Sequence, residues 1–93
     1  FMKVIASELK SAERRVKLAN ELIDAFSQDP DVAYLHDALE HLKRAKGMLL
    51  HALRVGEELV SLDELEPLRE RLTEVGRIIR EVEAKVKSME ESP

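Results

Sequence analysis

The sequence predicts an all-α protein, an antiparallel up-down-up three-helix bundle held by coiled-coil-like heptad seams. Three observations predict it. Charged residues make up 37% of the chain and aromatics only 3%, with three Gly and three Pro, the balance of long solvated helices. Apolar residues recur at alternating spacings of three and four through three successive segments. Between those segments lie helix-stop and helix-start signals. At 93 residues and 44% hydrophobic, the chain makes one domain, expected over residues 2–91.

In the first helix, expected over 2–27, Met2, Ile5, Leu9, Ala12, Val16, Ala19, Ile23 and Phe26 form one continuous a/d seam. Gln28-Asp29-Pro30-Asp31 then offers a cap at Asp29 and Pro at the first helical position, so the second helix is expected over 30–58. It repeats Leu35, Leu42 and Leu49 at sevenfold spacing, with Ala38, Ala45 and Ala52 in a neighbouring row that lets a partner helix approach closely. Gly56 marks its end. Ser61-Leu62-Asp63-Glu64 spells a capping box, but a helix capped there would carry Pro67 beyond its first turn. A short turn at 61–65 and a third helix over 66–90 are therefore expected. Its seam runs Leu65, Leu68, Leu72, Val75, Ile79, Val82, Val86 and Met89. Three segments of about 26 residues, each about 39 Å long and joined by short connections, fold most simply up, down and up. That architecture resembles a spectrin-type repeat in topology along the whole chain.

Composition also bounds function. The chain lacks Cys, so it has no disulfide framework, thiol nucleophile or cysteine zinc site, which suits a cytoplasmic location. No run approaches the ~20 apolar residues of a membrane span, and no membrane association is expected. Phe1 precedes Met2, which reads as the natural start. The net charge of −4 is concentrated in the C-terminal part, which argues against general nucleic-acid binding. Lys10, Arg14, Arg15 and Lys17 in helix one would form a basic patch with Lys43, Arg44, Lys46 and Arg54 only if those faces adjoined. Abundant Glu, Lys and Arg beside only Asn20 and Gln28 give a thermophile-like composition.

Helix two carries a second row, Tyr34, His41, Met48 and Val55, again seven apart. With the core and Ala rows it makes an apolar arc wider than one core-facing stripe. Internal packing of a middle helix would use such an arc. So would self-association as a homodimer, or the docking of another helical protein. On the second of these readings the interaction surface is Tyr34, His41, Met48 and Val55, with Asp37, Arg44 and His51 as a polar rim that sets register. No catalytic residue, cofactor or metal ligand set is expected. His36 with Glu40 and Asp37 with His41 are i,i+4 pairs without a third ligand, and read as solvated helix-surface residues. The one constellation with chemical potential is Arg44 and His51, seven apart on one face. Arg-x6-His resembles the ribonuclease motif of HEPN domains, and that resemblance implies an RNA-processing or toxin-type nuclease. In it the His would handle protons and the Arg would bind the scissile phosphate, near a dimer interface.

Overall fold

The computed structural model describes residues 2–91, without the side chains of Met2 and Val4. Phe1, and the Met2 position of the first seam, lie outside the side chains described. Three α-helices, α1 (Met2–Gln28), α2 (Val32–Leu59) and α3 (Leu62–Glu91), pack against one another, with no strand among the described residues. α2 is the middle element, closely packed on one flank by α1 and on the other by α3. The molecule is a rod, 51 × 19 × 15 Å in Cα extents.

The core explains why α2 holds that place. Leu35, Ala38, Leu39, Leu42, Ala45, Leu49, Ala52 and Gly56 are all buried. From α1 come Ala12, Val16 and Ala19, and from α3 Leu65, Leu68, Val75, Ile78, Ile79, Val82 and Val86. Alanine in both α1 and α2 lets their backbones come close. No polar or charged residue is buried among those described, so apolar burial alone stabilises the interior. The α1/α3 edge is more open and is bridged by long side chains: Arg71 donates to Glu13 at 3.1 Å, and Lys85 Nζ sits 5.9 Å from the centroid of the Phe26 ring.

Two expected helix starts are corrected. α2 begins at Val32, not Pro30, and its cap is Asp31, whose carboxylate accepts from the Ala33 amide at 2.9 Å. Asp31 holds the extended backbone that a cap needs (φ −111°, ψ 120°), while Pro30 stays outside the helix. α3 begins at Leu62, not Glu66, and continues through Pro67. The early start thus prevails over the proline, through a backbone bond from the Glu64 amide to the Ser61 carbonyl at 3.1 Å rather than through capping-box side chains. The amide that Pro67 lacks would have bonded the carbonyl of Asp63, an exposed residue of the first turn, where water can serve instead.

Candidate interaction surface

The second row of α2 lies along its edge with α1. Tyr34, His41, Met48 and Val55 are each half-buried. Met48 packs partly against the core and also lines a groove of about 320 Å³ with Ser11, Arg14, Arg15 and Leu18 of α1. Leu18 is 40% exposed there, a large apolar side chain at the surface. Along the same side of α2, Leu59 at its C-terminal end is 44% exposed. The row is therefore one half of a two-helix face.

Polar side chains fix that face. Arg15 Nη1 lies 3.1 Å from His41 Nδ1, both residues half-buried. A guanidinium only donates, so His41 Nδ1 is the acceptor and a neutral ring carries its proton on Nε2. Two half-buried arginines exist among the described residues, and they differ sharply. Arg71 contacts two carboxylates, Glu13 and Glu74, at 3.1 and 3.2 Å. Arg15 has the His41 nitrogen and, among the described residues, no carboxylate.

The rim residues are exposed, and the structure places each. Arg44 donates to Glu40 at 2.9 Å within α2. His51 meets Glu8 of α1 at 3.0 Å. Asp37 has no hydrogen-bond or ion-pair partner among the described residues. The Arg-x6-His pair is thus divided between two carboxylates on two helices, with nothing drawing the two side chains together. His36 lies 3.7 Å from Glu90 of α3, apart from the face. Among the described residues, no group of three His, Cys, Asp or Glu is placed to hold a metal ion.

Sequence reasoning missed Leu18 and Glu8, and it missed the place of Arg15 beside the second row. Leu18 sits between the seam residues Val16 and Ala19, off the alternating pattern. An apolar residue off the seam is the signal that could have found it. The Arg15–His41 and Glu8–His51 contacts depend on how α1 registers on α2, which spacing within one helix does not contain.

Fold and face together define a class, an all-helical three-helix protein with an apolar, arginine-bearing edge between its first two helices. Comparison with known families, characterised proteins and solved structures finds no match. No helix among the described residues is long and apolar enough to cross a membrane.

Proposed function

We propose that this protein is a non-catalytic helical interaction module, folded up-down-up and acting in the cytoplasm, that self-associates through the face shared by α1 and α2. The observation that carries the reading is Leu18, 40% exposed beside the half-buried Met48, so that both helices contribute apolar surface to one groove. Apolar side chains set among charged ones are a common make-up of docking sites on soluble proteins. The contact order supports the topology: Glu8 meets His51 while Arg15 meets His41, and His36 near the start of α2 meets Glu90 near the end of α3.

Light scattering tests the reading on the unmodified chain and on Met48→Glu, with circular dichroism to confirm that both are helical. The expected result is a dimer that Met48→Glu converts to a folded monomer, the dissociation constant rising by about 100-fold or more. An unmodified chain that is monomeric at ~0.1 mM, weaker than the micromolar range of specific complexes, overturns self-association. The ribonuclease reading makes the opposite demand, that RNA is cleaved and that His51→Ala abolishes cleavage. We expect no cleavage by either protein, because the Arg44 and His51 side chains are each held by a separate carboxylate.

A further inference from the structure

We propose that the groove between α1 and α2 takes an acidic amphipathic helix, one whose two apolar side chains, seven residues apart, flank a pair of carboxylates. The proposal concerns the chemistry of the groove and stands whether or not a second copy of the chain uses the same face. Charge is the first argument. The chain carries 19 acidic residues against 15 basic, yet no carboxylate lines this groove: its walls are Ser11, Arg14, Arg15, Leu18 and Met48. Around it, Glu8 is held by His51 and Glu40 by Arg44, and Asp37 is outside the lining. Arg15 is half-buried and donates to His41 Nδ1, and its guanidinium has further N–H donors with no carboxylate among the described residues. Arg14 beside it is exposed. Paired guanidinium groups suit carboxylates, which they can bind through two parallel hydrogen bonds.

The order of the side chains along the groove is the second argument. Met48 lies on α2 between His41 and His51, whose partners on α1 are Arg15 and Glu8. It therefore sits at the level of Ser11, with which it shares the groove. Arg14 and Arg15 follow three and four residues after Ser11, and Leu18 seven, so the groove reads apolar, cationic, apolar over about 10 Å. A helix spans that distance in two turns, with positions i, i+3, i+4 and i+7 on one face. Apolar residues at i and i+7 then meet Met48 and Leu18, while Asp or Glu at i+3 and i+4 meets the arginines. The pattern is the same in both directions, so it sets the spacing of the occupant and not its polarity. A nucleic-acid strand suits the site less well. It would set further phosphates against Leu18 and Met48, and the lining has no aromatic ring on which a base could stack.

The probe is a short synthetic peptide, bridged on its outer side so that it is helical alone, with two Leu seven residues apart and Glu at the third and fourth positions after the first. Fluorescence anisotropy of the labelled peptide follows its binding to the full chain. The expected dissociation constant is ~0.1 mM or tighter, and a twin peptide with Lys in place of both Glu is expected to bind about tenfold or more weakly. Arg14→Gln and Arg15→Gln, each checked for helicity by circular dichroism, are each expected to weaken the Glu peptide by about fivefold or more and to leave the Lys peptide no weaker. Arg14 is exposed, so its variant decides the matter should Arg15→Gln fail to fold. Absence of binding, equal binding of the two peptides, or an Arg14→Gln variant that binds like the unmodified chain overturns the proposal. Displacement of the peptide by a single-stranded oligonucleotide at equal concentration overturns it in favour of nucleic acid. Light scattering on the same samples separates this reading from self-association. A dimeric chain is expected to become a one-to-one complex as the peptide saturates it. A monomeric chain that binds the peptide overturns self-association alone, and a dimer that the peptide neither binds nor dissociates overturns the acidic helix alone.

Discussion

At the scale of single residues, two helical glycines with opposite surroundings measure how tightly the helices are packed. A Cβ added at Gly47 meets nothing within 4 Å, so Gly47→Ala simply removes backbone freedom from the unfolded chain and suits the helix. It is expected to stabilise the protein by about 0.5–1 kcal/mol. A Cβ at Gly56 overlaps Leu65 Cδ2 and touches Ile5 Cδ1 at 3.4 Å. Leu65 is fully buried, so its methyl has no free space to enter, and overpacking at about 1–3 kcal/mol outweighs the helix-propensity gain. Thermal unfolding should therefore move in opposite directions for the two variants, up for Gly47→Ala and down for Gly56→Ala. A rise for both would mean that Leu65 repacks freely where α1, α2 and α3 meet. The glycine spellings are alike in sequence; only the approach of Leu65 and Ile5 distinguishes them.

At the scale of helices, the caps show what was legible and what was not. The existence of three helices and the core residues from Leu35 to Ala52 follow from spacing alone, because burial repeats with the helical period. The starts of α2 and α3 do not, because each presents two competing signals within three to six residues. Asp29 and Asp31 both spell a cap; Asp31 wins by placing its carboxylate 2.9 Å from the Ala33 amide. Asp31→Ala is expected to cost about 1 kcal/mol and Asp29→Ala close to nothing, measured by urea unfolding. Equal costs would show that Asp29 shares the cap. At α3, the backbone bond from the Glu64 amide to the Ser61 carbonyl starts the helix before Pro67, and the missing bond falls on an exposed turn. Of the proposed interaction surface, the α2 half was legible as a heptad row. The α1 half was not, since Leu18 and Arg15 join that row only through the register of one helix on another.

At the scale of the whole molecule, shape separates one mode of association from another. The chain has a Cα radius of gyration of 15.0 Å, against about 12 Å for a compact domain of this length, because its three long helices lie side by side. Among the described residues, large apolar side chains are exposed at Leu50, alone on another side of α2, and in two further places on the rod. Leu18 lies on its flank, and Leu59 and Leu62, 44% and 63% exposed, lie at the end where α2 turns into α3. Association through that end would stack two rods and bring the longest dimension towards about twice the 51 Å of one copy. Association through the flank instead lays the two copies side by side, overlapping along much of their length. Such a dimer is short and thick, well short of twice the 51 Å of one copy. Small-angle scattering of the dimer reads this difference directly: the cross-section should grow markedly and the maximum dimension by far less than twofold. A maximum dimension near twice that of the monomer, with an unchanged cross-section, would move the contact from the Leu18–Met48 flank to the Leu59–Leu62 end.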